Sequence, residues 1–249
     1  MNPVKNLQDK IAFVQGGSRG IGAAIVKRLA SEGAAVAFTY QSSTVAAEKI
    51  VSEIVGAGGN AIAIQADSAN PELLQQAIRQ ATEHFGGLDI LVNNAGILPW
   101  GPLEELTLAQ IDLTLAINVR SVIIASQEAT RHMRAGGRII NIGSINADRT
   151  PIAGGAVYAM SKASLVGFTK GLARDLGPRS ITVNNVQPGP VETDMNPASS
   201  ETAAQLKKLM ALGRYGKDSE IASFVAYLAG PEAAYITGAS LSIDGGFSA

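Results

Sequence analysis

Apolar residues along this chain fall into short β-branched runs that alternate with longer stretches in which they recur every three or four positions. The short runs are IAFVQ (11–15), AVAFTY (35–40), AIAIQAD (61–67), LDILVNNAG (88–96), RIINIGS (138–144), ITVNNVQPG (181–189) and ASLSIDGG (239–246). None alternates with polar residues, which is the pattern of strands buried on both faces. The longer stretches predict a helix over 20–31 with Gly33 at its C′ position, and another over about 43–56 with Val45, Ala46, Ile50 and Ile54 on one face. Asn70, Pro71 and Glu72 read as a helix start, and further helices are expected at about 107–133, 157–176 and 218–229. Strand and crossover helix in regular alternation predict one doubly wound α/β domain over 1–249. The single long irregular stretch, GPVETDMNPASS (189–200), opens a loop at about 189–212 and reads as a functional lid.

Composition narrows the function. The 249 residues are 46% hydrophobic, enough for a large core, and carry 20 basic against 21 acidic residues. Lys and Arg are not concentrated anywhere, so a nucleic-acid or membrane-surface role has no electrostatic support. The absence of cysteine excludes disulfides, thiolate metal sites and a Cys nucleophile. The start, MNPVKNLQDK, lacks a leader's apolar core, and no unbroken apolar run approaches the roughly 18 residues of a membrane span. A cytoplasmic protein is therefore expected. The two histidines, His84 and His132, fall on predicted helices in no triad-like or metal-ligand spacing and are expected at the surface, so no metal site is anticipated.

The glycines of QGGSRGIG (15–22) stand where the first strand turns into the first helix, where a doubly wound sheet presents helix N-termini to anions. Their spacing alone leaves a plain tight turn and a pyrophosphate cradle both open. Farther on, YAMSK places Tyr158 and Lys162 four apart, on one helical face. A phenol, with a pKa of about 10, becomes a workable acid–base group when an ammonium lowers that value. Ser144, at a strand end, can hydrogen-bond a carbonyl oxygen on which charge develops.

Gly16, Gly20 and Gly22, then Asn93, Asn94, Ala95 and Gly96, Asn118, Ser144, Tyr158 with Lys162, and Pro188 with Gly189 occur in order over essentially the whole chain. Together they resemble the single-domain branch of the short-chain dehydrogenase/reductase family. The resemblance implies a Rossmann-type sheet of seven mostly parallel strands, order 3-2-1-4-5-6-7, with helices on both faces. It implies catalysis by Asn118, Ser144, Tyr158 and Lys162. Tyr158 would donate the proton, Ser144 orient the carbonyl, Lys162 hold the nicotinamide ribose, and Asn118 support a water-linked proton path. The dinucleotide would lie against Gly16, Ser18, Arg19, Gly20, Ile21, Gly22, Tyr40, Gln41, Ser42 and Ser43. Asp67, Asn94, Ala95, Gly96, Tyr158, Lys162, Pro188, Gly189, Val191 and Thr193 complete that site. Asp67 also reads as an ordinary strand-end turn acid. Gln15 departs from the family, which usually has Thr there.

No Asp or Glu occurs from Gly33 to Ala47, where an NAD site places its ribose-binding carboxylate, and Arg19 stands in the glycine loop. NADPH is therefore expected over NADH, with a solvated loop cation as the plain reading of Arg19. The expected substrate wall is Leu98, Trp100, Ser144, Ile145, Asn146 and Met195, although Trp100 would equally suit a core or an interface. Its apolar character favours reduction of a small-molecule ketone or aldehyde with a hydrophobic substituent. The chain is also similar to 3-oxoacyl-(acyl carrier protein) reductases, with Arg134 and Arg179 near their carrier-binding positions. Gly189–Pro197 and Ala173–Pro178 are similar to a biofilm-dispersal relative that binds a cyclic dinucleotide. The apolar helix around Tyr158, with Met160, Leu165, Val166, Phe168 and Leu172, calls for a partner subunit, and the resemblance implies a homotetramer.

Overall fold

Seven apolar strands pair in the order β3-β2-β1-β4-β5-β6-β7, every neighbour parallel. They are β1 Ile11–Gln15, β2 Ala35–Tyr40, β3 Asn60–Gln65, β4 Leu88–Asn93, β5 Met133–Ile142, β6 Thr182–Pro188 and β7 Ser240–Ile243. The computed structural model describes residues 6–249; Met1–Lys5, half of the MNPVKNLQDK segment, lie outside the described residues. Because successive side chains on a strand point to opposite faces, the sheet feeds two cores. Ala12, Val14, Phe38 and Val92 pack on one side beneath α1 (Gly20–Ser31), α2 (Thr44–Gly56) and α8 (Asp218–Ala229). Phe13, Ala37, Leu91 and Ile139 pack on the other beneath α3 (Pro71–Phe85), α5 (Ser121–His132) and α6 (Ala156–Leu176).

Local chemistry sets several boundaries. Asn70 caps α3 by accepting from the Leu73 amide at 3.0 Å, with Pro71 at the first helical position, as its sequence predicts. Gly33, at φ 101°, follows α1 in the left-handed conformation. The strands are shorter at their C-terminal ends than the apolar pattern suggests. β4 stops at Asn93, so Asn94, Ala95 and Gly96 lie past the sheet, and β5 stops at Ile142, two residues before Ser144. Loop 189–200 leads into a short helix that the pattern does not announce, α7 (Glu201–Lys208).

The helix expected over 107–133 is interrupted. α4 (Leu108–Leu115) passes through a wide π turn, Ala116–Arg120, into α5. Taken together, Leu108–His132 is long and apolar enough to cross a membrane by length and composition, which a count of unbroken apolar runs misses. Here its inner residues Val122, Ala125 and Ala129 are buried on the sheet, while Leu108, Leu113, Leu115 and Ile123 are exposed.

Candidate active site

β1 enters α1 through a turn pinned at the carboxyl edge of the sheet. Gly16 N donates to Thr39 Oγ1 at 2.9 Å and Gly17 N to the Thr39 carbonyl at 2.8 Å. Asn94 Nδ2 donates to the carbonyls of Gln15 (3.2 Å) and Gly16 (2.8 Å). Gly16 has φ 72°, and a Cβ on Gly22 would lie 2.1 Å from the Gly16 carbonyl oxygen, so α1 starts this close to β1 only with glycine there. α1 has neither a side-chain cap nor an acid in its first turn. Its free amides, at Gly20, Ile21 and Gly22, line a cleft of about 760 Å³ and suit a pyrophosphate.

The same cleft takes in Ser18, the exposed Arg19, and Tyr40, Gln41, Ser42 and Ser43 beyond β2. α2, which follows them, also begins without a side-chain cap or an acid in its first turn. Asp67 lines the cleft and accepts from the Ala69 amide at 2.8 Å, as a strand-end turn acid does. Asn94, Ala95, Gly96, Pro188, Gly189, Val191 and Thr193 line it as well. This side of the cleft fits a dinucleotide bearing an extra phosphate.

Tyr158 and Lys162 rise from the first two turns of α6 into the centre of the cleft, opposite Ser144. Ser144 is 8% exposed and caps a short 3₁₀ turn, its Oγ accepting from Asn146 N at 3.2 Å. Lys162 Nζ donates to the Ile142 carbonyl at 2.8 Å and lies 5.9 Å from the centre of the Tyr158 ring. Burial pushes the Lys162 ammonium down to about 8. Burial also pushes the Tyr158 phenol up, against a Ser144 hydrogen bond that lowers it. This corrects the expectation of a lowered phenol, because both groups lose water together and the lysine bonds a backbone carbonyl instead of the phenolic oxygen. A phenol with a raised pKa keeps its proton at neutral pH and is suited to giving it away.

Asn118 sits in the π turn, fully buried, a little behind the pair. It accepts from Ile97 N and donates to Ile97 O, both at 2.9 Å, and donates to Ser161 Oγ at 3.0 Å. A π turn inside a long helix is a frequent mark of a functional site.

A family model described as enoyl-(acyl carrier protein) reductase matches residues 16–248. The chain belongs to the short-chain dehydrogenase/reductase family. It is 49% identical over 240 residues to the cyclic-di-GMP-binding biofilm dispersal mediator protein of Escherichia coli, covering 96% of this chain and 98% of that one. It superposes with a TM-score of 0.97 and 72% identity on a short-chain dehydrogenase/reductase of Serratia marcescens, covering 98% of this chain and 100% of the other. A Burkholderia cenocepacia short-chain dehydrogenase in complex with NADP matches at 56% identity and TM-score 0.97, covering 98% and 100%.

Of the residues expected to form the substrate wall, this short-chain dehydrogenase/reductase brings Leu98, Trp100, Ile145, Asn146 and Met195 to the cleft, and Leu98, Trp100 and Met195 are exposed. Trp100 is no core residue. Its indole lies over Gly154 and Gly155, where an added Cβ would come within 2.8 Å and 2.7 Å of it, just before α6. Thr202, Gln205 and Leu206 of the α7 region and the C-terminal Phe247 also line the cleft, and sequence pattern offers no signal for them. Ala203, Met210, Tyr215, Phe247 and Ile145 form a small core beneath, and Arg149 donates to the Phe247 carbonyl.

A second feature escapes a residue-by-residue reading. Gln15, Asn93, Asn141 and Asn185 are register partners on β1, β4, β5 and β6, all fully or almost fully buried. Asn93 Nδ2 donates to Asn141 Oδ1 at 2.8 Å, and Asn141 Nδ2 to Thr169 Oγ1 at 2.9 Å. The signal is an amide interrupting each of four apolar strands, at or next to the end of β1, β4 and β5 and in the middle of β6. Of the histidines, His84 is exposed, but His132 is half-buried against Glu128 at 3.1 Å and is not the free surface residue expected.

Proposed function

We propose that the protein is an NADPH-dependent carbonyl reductase, one domain over 1–249, that reduces a ketone or aldehyde to an alcohol. The observation that carries this reading is Tyr158: a phenol held protonated by burial, sharing the cleft with Ser144, and set beside Lys162, while the cleft's other half suits a dinucleotide. When bound, NADPH supplies the hydride, which no side chain here can provide. Ser144 and Tyr158 hold the carbonyl oxygen, and the phenol gives its proton to the developing alkoxide. Lys162 binds the ribose and helps replace that proton, with Asn118 behind it. NADPH over NADH is supported by Arg19 and the acid-free rim at Tyr40–Ser43, and by the NADP held by the Burkholderia relative. The exposed apolar wall at Leu98, Trp100 and Met195 favours a hydrophobic substituent on the carbonyl.

NADPH oxidation over a panel of ketones, quinones and β-ketoacyl thioesters tests the reading, together with Tyr158→Phe. The variant is expected to lose about 10²–10⁴ in kcat while NADPH affinity is kept. A fully active Tyr158→Phe enzyme refutes it. Arg134 and Arg179, the candidate carrier-binding cations, are exposed and bonded to backbone carbonyls of Gly86, Thr130 and Met133, so the thioester arm is expected to be the weaker one. The likeness to the E. coli dispersal protein favours a second ligand in the same chain, a cyclic dinucleotide, and calorimetry with that ligand and NADPH in competition measures it. We also propose a cytoplasmic homotetramer. Leu113, Leu115 and Ile123 on the α4–α5 face and Met160 on α6 are exposed, and a partner subunit would cover them; light scattering at tetramer mass is the expected result.

A further inference from the structure

Gln15 closes β1 one residue before the glycine loop and is fully buried. Its main chain belongs to the cofactor side, where its carbonyl accepts from Asn94. Its side chain turns to the opposite core, and Nε2 donates to Ser121 Oγ at 2.9 Å across 106 residues of sequence. Ser121, itself 2% exposed, donates to the Ile117 carbonyl at 2.6 Å. Ile117 and Ser121 bracket Asn118, and Ser121 N closes the wide turn by bonding to the Ala116 carbonyl. From Asn118 the contacts run through Ser161 Oγ, which donates to the Tyr158 carbonyl at 2.7 Å.

A serine hydroxyl has one proton and two lone pairs. When Gln15 donates to the oxygen, the proton of Ser121 is left for Ile117, and each bond polarises the other. π turns are rare and carry poorer helical geometry than the α-helix on either side, so this one needs outside support. Among the described residues, Gln15 is the one group from the sheet that bonds to Ser121, and it brings the strand that carries the glycine loop into register with the turn that carries Asn118.

We infer that Gln15 is a positioning residue for the acid–base pair, acting through Ser121 to hold the π turn and Asn118 against the first turn of α6. This rests on the carbonyl-reductase reading above. The ionisable group beside Tyr158 is Lys162 on its own helix, and the others that line the cleft are Arg19, Tyr40, Asp67 and Asp194. Gln15 touches none of these directly.

Gln15→Met keeps the volume and removes the donor; Ser121→Ala cuts the same tether from its other end. Each is expected to lower kcat on the panel's best ketone about tenfold, the value of one buried hydrogen bond, with KM for NADPH changed less than about twofold. The double variant should fall no further than either single one, since both break one link. A second readout needs no carbonyl substrate. In protein saturated with NADP⁺, Tyr158 is titrated by ultraviolet absorbance as the difference from Tyr158→Phe. Both variants should move its midpoint by about half a pKa unit or more, a threefold change in the acid–base equilibrium. Loss of melting temperature alone, with kcat and the midpoint unchanged, overturns the inference, as does a rise confined to KM for NADPH. If the natural protein reduces nothing in the panel, the reductase reading fails and the titration alone decides Gln15. If Gln15→Met does not fold, Ser121→Ala decides it.

Discussion

The two walls of the cleft are built in different ways. The dinucleotide wall is main chain: glycines 16, 20 and 22, helix amides, and a turn fixed by Thr39 and Asn94 at 2.8–3.2 Å. The proposed substrate wall is side chain. Leu98, Trp100 and Met195 project from irregular segments, and α7 rides on a five-residue core that includes the C-terminal Phe247. A site made of backbone tolerates few residue types at fixed spacing, so its chemistry is set rigidly. A site made of side chains on loops can change shape without disturbing the sheet.

Beyond the loss expected of Tyr158→Phe, the sharpest test of this contrast is Lys162, where both walls meet. Its folded pKa of about 8 lies below the ordinary lysine value near 10.5. Between those values the unfolded chain binds more protons, so the stability contributed by this group is present above about pH 10.5 and lost as pH falls to 8. Relative to Lys162→Met, the natural protein should gain about 3 kcal/mol across that window in urea unfolding. Tyr158, raised and present in both proteins, contributes in the opposite sense above pH 10 and cancels.

Gly22→Ala puts a methyl against the Gly16 carbonyl, which is backbone and cannot move aside. NADPH affinity should fall about 10- to 100-fold in a fluorescence titration, the ~1–3 kcal/mol of overpacking. Arg19→Ala probes the cationic side chain of the glycine loop, and should cut the preference for NADPH over NADH roughly tenfold, about 1.4 kcal/mol. Unchanged preference sinks the phosphate assignment. Met195→Ala, on the side-chain wall, should move KM for a bulky ketone only about two- to fivefold and leave NADPH affinity alone. A large effect of Met195→Ala on NADPH would erase the distinction between the walls.

Most of the sheet was legible because buried parallel strands read as unbroken apolar runs. All seven were found, with ends misplaced where Asn94–Gly96 and Ser144 continue past the last ladder bond and where β5 begins at Met133, five residues ahead of its apolar run. The glycine loop and the Tyr158–Lys162 pair were legible because their spacing is local, set by a turn or by one helical turn. The π turn at Ala116–Arg120 was not legible, since the residues that stabilise it come from β1 and from the loop before α4. The cross-sheet amide row was hidden for the same reason: each member is an isolated polar residue until register aligns them.

By itself, then, the sequence determined the elements, the parallel order implied by its family motifs, and the candidate groups from which the proposed proton donor and phosphate contacts are drawn. Those follow from interactions between residues a few positions apart. Only the tertiary structure decided the direction of the Tyr158 and Lys162 pKa values, the place of Phe247 in the lining of the cleft, and the tie between Gln15 and Ser121. Desolvation and long-range hydrogen bonding depend on what is folded on top of a residue, and that is a property of the packed chain.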